Sequence, residues 1–338
     1  MLTVRALAAG AACVALLGSE SPNPARNLRE LAGQYYAQAA RIAVATGRDS
    51  TMDYYQRLVD DAELINEPAP AGYPASLWRM LTQNVARLDS SVATQLLRTA
   101  YEPLGSVRGL GESFVRSSKD GTMQPVAVYV PGAYSPSRPA PLLVFLHGRL
   151  QSESGLLAPQ YLAELAERTG TIVVAPYGRG YYDFNGAESD VYDAFDAANR
   201  AFNIDARERY LAGYSMGGFS VFKIAPIHPG DWSGVMSIAG ALLHSRAPRV
   251  LSTMPRARFY VLTGARDQIV QTRFAVDTAV FLRDSNVPVT FYSAPDGTHS
   301  LYSLRSILAQ AWFDMERGVV HLPAGLVGTG ELPEAASQ

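Results

Sequence analysis

The sequence contains very little cysteine and very little lysine. Among its 338 residues there is one cysteine, Cys13, and there are two lysines, Lys119 and Lys223. Cys13 lies in a short apolar stretch at the N-terminus, so the remainder of the chain has no thiol. Disulfide bonds, zinc–thiolate sites and cysteine nucleophiles are therefore excluded from that remainder.

The chain also lacks an excess of either charge. It has 29 lysine and arginine residues against 31 aspartate and glutamate residues, and no long block of like charge. A protein that reads nucleic acid usually carries a basic stripe, so no nucleic-acid partner is expected. Hydrophobic residues make up 48% of the sequence, which is typical of a globular protein with a sizeable core.

No long hydrophobic run occurs at the N-terminus. Arg5 is followed by the apolar stretch ALAAGAACVALLG and then by the polar SESPNPARN, an order that resembles a secretory signal peptide. The stretch is too short for a stable membrane span. We therefore expect residues 1–21 to be removed on export, which would make the protein secreted or periplasmic. Two alternatives stay open: lipid anchoring through Cys13, and an N-terminus that is disordered or wrongly started.

Residues 27–104 have a helical pattern. Apolar residues recur every three or four positions, as at Leu28, Leu31 and Tyr35, and such a stripe favours an amphipathic helix that ends near Gly47. A proline-rich stretch at 66–76 predicts a connector. Two short helices are expected after it, at 77–88 and 91–101.

From about residue 112 the pattern changes to strands that alternate with helices. The segments ESFVRSS and QPVAVYVP flank an Asp-Gly turn and predict an antiparallel hairpin. Six further apolar runs predict buried strands: PLLVFLHG, TIVVAPYG, RYLAGYS, GVMSIAG, RFYVLTG and PVTFYSAP. This order predicts an α/β fold with a mostly parallel, doubly wound sheet and helices on both faces. The Gly- and Pro-rich tail, 319–338, is expected to be loosely ordered.

A G-x-S-x-G pattern lies at the end of one predicted strand. It consists of Gly213-Tyr214-Ser215-Met216-Gly217, between the strand RYLAGYS and a helix that begins at Met216. The pattern alone is weak, because glycine and serine are common in this chain. The order of strand, turn and helix is what a nucleophile elbow requires. We therefore predict that Ser215 is a catalytic nucleophile.

A serine nucleophile needs a base and an acid. Among the five histidines, only His299 lies between the last predicted strand and the last predicted helix, which makes it the predicted base. Asp267 follows the strand RFYVLTG and lies between Ser215 and His299 in the chain, so it is the predicted acid. Asp296, three residues before His299, remains the alternative.

Two backbone N–H groups are predicted to bind a developing oxyanion. One belongs to Met216 at the start of the helix after Ser215, and the other to Arg149 in the loop after LLVFLHG. His147 ends that strand, and we expect it to hold the loop by hydrogen bonds rather than to take part in chemistry.

These segments resemble the α/β-hydrolase superfamily over residues 106–318. LLVFLHG, YGRGYYDFNGAESDVYDAFD, GYSMGG and GTHS are similar to the branch of secreted serine esterases that includes feruloyl and acetylxylan esterases, polyhydroxybutyrate depolymerase-like enzymes and prolyl-oligopeptidase relatives. The resemblance implies a serine hydrolase that cleaves small-molecule or polymeric carboxylic esters through an acyl-enzyme, with no metal and no organic cofactor. The loop reads His-Gly-Arg-Leu where many relatives have a small residue after His-Gly. An acyltransferase, a peptidase and a non-catalytic binding module are the alternatives.

The helical segment 27–104 matches no part of that family. A module of about 75 residues is only marginally stable alone, so its apolar faces should pack on the catalytic domain. It could be a structural buttress or a cap over the carboxyl ends of the strands, where α/β sheets bind ligands. Its tyrosines could serve either role: Tyr35, Tyr36, Tyr54, Tyr55 and Tyr73.

Overall fold

The computed structural model describes residues 23–180 and 184–334. The predicted signal peptide at 1–21, including Cys13, lies outside these residues, as do the last four residues of the tail. Within the described residues, no helix is both long enough and apolar enough to cross a membrane.

In the part of the chain that the structure describes, four helices precede the sheet: α1 (Pro24–Ala37), α2 (Ala39–Thr46), α3 (Arg48–Leu64) and α4 (Ala75–Arg98). The predicted first helix is interrupted at Gln38, whose N–H bonds back to the carbonyl oxygens of Tyr35 and Tyr36. In the predicted stripe, Leu28 and Tyr35 are fully buried in a common core, and the half-buried Leu31 packs against it. Phe114 and Tyr177, which come from the sheet region, belong to the same core, so the helices pack on the sheet domain.

The prediction of two short helices after the connector is wrong. Helix α4 runs without a break from Ala75 to Arg98. Asp89 and Ser90, at the expected junction, resemble a helix start because such residues often cap helices. In the structure Asp89 is buried and its carboxylate pairs with Arg57 of α3. The Asp89 side chain is therefore engaged in a tertiary ion pair and does not cap a helix, so α4 continues through this position.

Among residues 23–180 and 184–334, eight strands form one sheet in the order β1-β2-β4-β3-β5-β6-β7-β8. The strands are β1 (Gly109–Arg116), β2 (Met123–Val130), β3 (Ala140–Leu146), β4 (Ile172–Pro176), β5 (Ile204–Tyr214), β6 (Gly234–Ile238), β7 (Arg258–Gly264) and β8 (Val289–Ala294). β1 pairs antiparallel with β2, and β2 with β4; all other neighbours are parallel. The predicted hairpin and all six predicted strands are confirmed.

The seven other α-helices of the described residues cover both faces of the sheet. They are α5 (Glu153–Leu157), α6 (Gln160–Thr169), α7 (Glu188–Ala201), α8 (Met216–Ile224), α9 (Ala247–Thr253), α10 (Thr272–Asp284) and α11 (Arg305–Glu316). In β3, Leu142 and Val144 enter one core with α7, α8 and α10, whereas Leu143 and Phe145 enter a second core with α6 and α11. Side chains alternate between the faces of a strand, so a run buried on both faces reads as continuously apolar. This confirms the predicted layered α/β architecture.

The tail from residue 319 to 334 has no helix or strand, but it lies along the domain. Arg283 of α10 donates hydrogen bonds to the carbonyl oxygens of Pro323 and Leu326, and Asp277 accepts from the N–H of Thr329. Side chains of α10 therefore bind the tail through its backbone.

Candidate active site

Ser215 lies in a sharp turn between β5 and α8. Its φ is +52° and its ψ is −116°, a conformation that costs a non-glycine residue roughly 1–3 kcal/mol and is found mainly at functional sites. The Ser215 N–H donates to the carbonyl oxygen of Ile238 at the end of β6, at 2.8 Å. The strained serine is thus held between the central strands of the sheet.

Gly217 allows this turn to pack closely. A Cβ atom added at Gly217 would lie 2.4 Å from the carbonyl oxygen of Leu146, which ends β3. Real Cβ contacts are never this short, so a side chain here would displace the helix from the strand. The requirement for glycine after Ser215 therefore comes from the approach of α8 to β3.

The structure brings Ser215, His299 and Asp267 into one hydrogen-bonded chain. His299 Nε2 lies 2.9 Å from Ser215 Oγ, and His299 Nδ1 lies 2.8 Å from Asp267 Oδ2. The Asp267 side chain is fully buried, and its Oδ1 accepts hydrogen bonds from the N–H groups of Ile269 and Val270, each at 2.9 Å. This geometry can pass a proton from the serine hydroxyl to an imidazole that a carboxylate orients.

Asp296 lies elsewhere. Its side chain is 82% exposed and pairs with Arg266 at 2.7 Å. Between the two candidate acids, the structure therefore places Asp267 against the His299 ring and directs Asp296 toward solvent.

The loops that carry Asp267 and His299 touch through their backbones. Gly264, three residues before Asp267, approaches Gly297 so closely that an added Cβ would lie 2.4 Å from the Gly297 carbonyl oxygen. The Arg266 N–H also donates to that oxygen at 2.8 Å. These contacts fix the two loops relative to each other, and with them the distance between acid and imidazole.

Sequence reasoning missed the part played by Tyr214, the residue before the nucleophile. Its hydroxyl donates to the carbonyl oxygen of His299 at 2.6 Å, and its ring lies 5.4 Å from the imidazole ring. Burial and the nearby Asp267 carboxylate raise the pKa of Tyr214, so the hydroxyl keeps its proton and remains a donor. In the sequence, Tyr214 only occupies the first variable position of the G-x-S-x-G pattern, and that position does not indicate a contact with His299.

His147 is fully buried behind the loop that follows β3. Its Nδ1 lies 2.8 Å from the carbonyl oxygen of Gly148, and its Nε2 lies 2.8 Å from that of Tyr177. Burial lowers the pKa of this imidazole. The ring therefore lies between the loop and the segment after β4, with one N–H to donate to one of these two carbonyl oxygens, a position consistent with the expected loop-holding role.

The two residues predicted to bind an oxyanion lie next to Ser215 in the chain, in the case of Met216, and in a neighbouring turn, in the case of Arg149. Met216 is the first residue of α8, and the first N–H groups of a helix have no intrahelical acceptor. Arg149 lies in the turn that the Gln151 N–H closes on the Gly148 carbonyl oxygen at 3.2 Å. A Cβ added at Gly148 would lie 3.4 Å from Ser215 Cβ, so this turn is in contact range of the nucleophile.

The described residues contain no group of three or more metal-ligating side chains placed to hold an ion. The remaining three histidines have local contacts or are exposed. His228 packs against Tyr192, with ring centroids 4.4 Å apart. His321 lies 3.6 Å from Asp314, and His244 is exposed.

Comparison with known proteins concerns the family and the fold. A family model described as "Putative esterase" matches residues 117–287, which is half of the chain. A bifunctional acetylxylan esterase/xylanase, XynS20E of Neocallimastix patriciarum, is 30% identical over 109 residues, 31% of this chain. The match spans only 16% of that relative's length.

Two solved structures are similar in fold. The CE1 ferulic acid esterase AmCE1/Fae1A from Anaeromyces mucronatus has a TM-score of 0.52 at 16% identity, covering 62% of this chain and 90% of its own. FphF, a fluorophosphonate-binding serine hydrolase of Staphylococcus aureus, has a TM-score of 0.50 at 15% identity, covering 60% and 96%. With half of its length matched by the family model, and with this sheet, the chain belongs to the esterase family and has the α/β-hydrolase fold.

Proposed function

We propose that the protein hydrolyses carboxylic esters through an acyl-enzyme formed on Ser215. The observation that carries this proposal is the unbroken chain of hydrogen bonds from Ser215 Oγ through His299 to the buried Asp267. Membership of the esterase family supports the same reaction class.

In the first half of the reaction, Ser215 Oγ attacks the carbonyl carbon while its proton moves to His299 Nε2. The imidazolium donates from Nδ1 to Asp267, whose carboxylate stabilises the positive charge. The bond between the carbonyl carbon and the alcohol oxygen then breaks. The leaving alcohol takes the proton from Nε2, and the acyl group stays on Ser215.

The tetrahedral intermediate carries a negative oxygen, which we assign to the backbone N–H groups of Met216 and Arg149. The contact range between Gly148 and Ser215 supports this assignment for the loop, and the position at the start of α8 supports it for the helix. Loss of one oxyanion donor typically lowers kcat by about 10²- to 10³-fold.

In the second half, water replaces the alcohol. His299 takes a proton from water, the hydroxide attacks the acyl carbon, and Ser215 leaves with the proton returned from Nε2. An acceptor alcohol in place of water would give acyl transfer with the same residues, so products should be analysed with and without added alcohols.

The names of the relatives direct the choice of the first substrates. Acetylated xylan and feruloyl esters follow from the acetylxylan esterase and the ferulic acid esterase; short p-nitrophenyl esters test for ester turnover of any kind. Turnover by the purified protein that disappears in Ser215→Ala supports the proposal. Absence of turnover across short, long, aryl and polymeric esters would contradict it.

We further propose export of the protein, on the basis of the apolar N-terminal stretch. Mass spectrometry of the native protein should then find an N-terminus between about Gly18 and Asn27. An intact Met1 would contradict export, and a diacylated Cys13 would replace it by membrane anchoring.

A further inference from the structure

A cleft of about 480 Å³ lies between the N-terminal helices and the loop after β3. Gln56, Asp60 and Trp78 belong to its helical wall, and Leu150 and Gln151 to its loop wall. Small-molecule sites usually have volumes of about 300–1,000 Å³. The cleft is therefore large enough for a ligand, and neither the triad nor the oxyanion hole uses it.

The loop wall of the cleft continues to the nucleophile. Gln151 Oε1 accepts a hydrogen bond from the Gly148 N–H at 3.2 Å. A Cβ added at Gly148 would lie 3.4 Å from Ser215 Cβ. Two successive contacts thus join a side chain of the cleft to the reacting serine, so the cleft and the nucleophile are neighbours across this loop.

A row of aromatic rings joins the helical wall to the loop that carries His299. Trp78 lies edge-on to Tyr73, with ring centroids 5.7 Å apart. Tyr73 in turn packs on Tyr302, at 4.2 Å, and Tyr302 follows His299 by three residues. The oxygen of the leaving alcohol must reach His299 Nε2 to receive its proton, and these rings place the helical wall next to the loop that carries His299.

The composition of the cleft restricts its ligand. Leu64, Leu81 and Trp78 offer apolar surface, whereas the carboxylate of Asp60 and the amide of Gln56 offer hydrogen-bond acceptors. No lysine or arginine occurs among its lining residues in the described part of the chain. The lining Asp61 is paired with Arg57 at 3.8 Å. An anionic ligand would still meet the Asp60 carboxylate, whereas hydroxyl donors would find acceptors.

We propose that this cleft binds the alcohol moiety of the ester substrate, and that this moiety is uncharged, bears hydroxyl groups and has an apolar face. The inference rests on the proposed ester hydrolysis. It makes the N-terminal helices a part of the substrate site, in addition to their packing role.

The test fills the cleft with Leu81→Trp. Met80→Trp is the matched control, since Met80 is the neighbouring residue of α4, is exposed and does not line the cleft. Acetate esters of methanol, benzyl alcohol and 4-(hydroxymethyl)benzyl alcohol are compared by kcat/KM. Leu81→Trp should lower kcat/KM at least about tenfold for the two large alcohols and less than about twofold for methyl acetate; Met80→Trp should change none of them.

A second series keeps methanol as the alcohol and varies the acyl group from acetyl to butyryl to benzoyl. For each ester, kcat/KM of Leu81→Trp is divided by that of the wild type, and this quotient should be the same for all three acyl groups. A quotient that changes with the acyl group but not with the alcohol would assign the cleft to the acyl group and overturn the proposal. A quotient that is constant in both series would overturn it as well.

Gln56→Leu addresses the hydroxyl groups, and its exposed position on α3 makes misfolding a minor concern. It should reduce the preference for 4-(hydroxymethyl)benzyl acetate over benzyl acetate several-fold. An unchanged preference would remove hydroxyl recognition from the proposal. In the same series, 4-(acetoxymethyl)benzoate should be the poorest large substrate, because its alcohol is anionic; faster turnover than benzyl acetate would contradict the charge argument.

A binding measurement separates the cleft from the chemistry. 1-Phenyl-1,2-ethanediol is titrated calorimetrically into the wild-type protein, Leu81→Trp and Met80→Trp. Binding that only Leu81→Trp weakens, by about tenfold or more, supports the cleft even if no ester is hydrolysed. Ester turnover with no Leu81-dependent change in binding or selectivity overturns the cleft and leaves ester hydrolysis standing.

Discussion

Arg57 of α3 donates to Glu153 Oε1 of α5 at 2.8 Å, and both side chains are almost completely buried. Glu153 begins the helix that follows the loop of Gly148 and Arg149. The same guanidinium also pairs with Asp89 and with the hydroxyl of Ser154. One arginine of the N-terminal helices is thus bound to the segment next to the proposed oxyanion hole.

Arg57→Met should destabilise the protein strongly. Removing one partner of a buried ion pair leaves an uncompensated charge and typically costs about 3–5 kcal/mol. Urea denaturation measures the change in free energy of unfolding. Arg26→Met, which breaks the exposed pair with Glu30, is the control and should change stability by less than about 1 kcal/mol. Equal effects of the two substitutions would refute the anchoring role of Arg57.

Ser215→Ala should abolish ester turnover and preserve the fold. Loss of a triad nucleophile typically lowers kcat by about 10⁶-fold. Circular dichroism and thermal unfolding verify the fold, and steady-state kinetics measure the loss. A variant that kept a tenth of the wild-type rate would show that Ser215 is not the nucleophile.

Asp267→Asn and Asp296→Asn should have very different effects on kcat. The first substitution permits the wrong imidazole tautomer and should lower kcat by about 10⁴-fold. The second removes an exposed pair with Arg266 and should leave kcat within a few-fold of the wild-type value. Measured kcat values with the opposite ranking would move the acid to Asp296.

Glu112→Gln should change how stability depends on pH. Glu112 is fully buried in β1, and neither carboxyl oxygen has a hydrogen-bond partner among the described residues. Burial, followed by the nearby Glu153 carboxylate, raises the pKa of Glu112 well above its ordinary value of 4.5. At a pH between 4.5 and the raised pKa, Glu112 therefore keeps its proton in the folded protein and loses it in the unfolded chain.

This difference in proton binding determines whether stability rises or falls with pH. Since the folded state binds the extra proton, the stability that Glu112 contributes is complete below about pH 4.5 and falls as pH rises toward the raised pKa. Glu112→Gln removes this dependence, so its stability relative to wild type should increase from pH 4 to pH 8. Denaturation curves at several pH values measure the trend, with the exposed Glu63→Gln as control. A difference that did not vary with pH would contradict the assignment.

Alanine substitutions of Tyr35 and Tyr73 should distinguish the two possible roles of the N-terminal helices, a structural buttress and a cap over the carboxyl ends of the strands. Tyr35 is fully buried among these helices, so Tyr35→Ala should cost about 3–5 kcal/mol of stability and leave the kcat/KM ratios between substrates constant. Tyr73 packs on Tyr302, so Tyr73→Ala should change the ratio between esters of large and small alcohols. If all ratios remained constant in both variants, the cap role would be excluded.

Much of the sheet domain could be predicted from the sequence, because its signals are local. A strand buried on both faces reads as a continuous apolar run, as in PLLVFLHG, and each such run became a parallel strand. The order of Ser215, Asp267 and His299 along the chain also follows from the fold, since each residue lies after a strand. The fold brings the carboxyl ends of those strands together.

The contacts of the N-terminal helices could not be predicted in this way. Arg57 and Glu153 are 96 residues apart in the chain, and no periodicity relates them. Asp89 gave a misleading local signal, because a residue type that caps helices is used here in a buried ion pair inside α4. The contact of Tyr73 with Tyr302 depends likewise on how two separate units pack.

The hydrogen bond from the Ser215 N–H to Ile238 has a consequence for motion. It joins the nucleophile to β6, and the close approach of Gly217 to Leu146 joins it to β3. The reacting serine is therefore held by two strands of the sheet, and local opening around it requires these contacts to break. Substrates of different shape must then be accommodated by movements of side chains around the site, such as those that line the cleft between the N-terminal helices and the loop after β3.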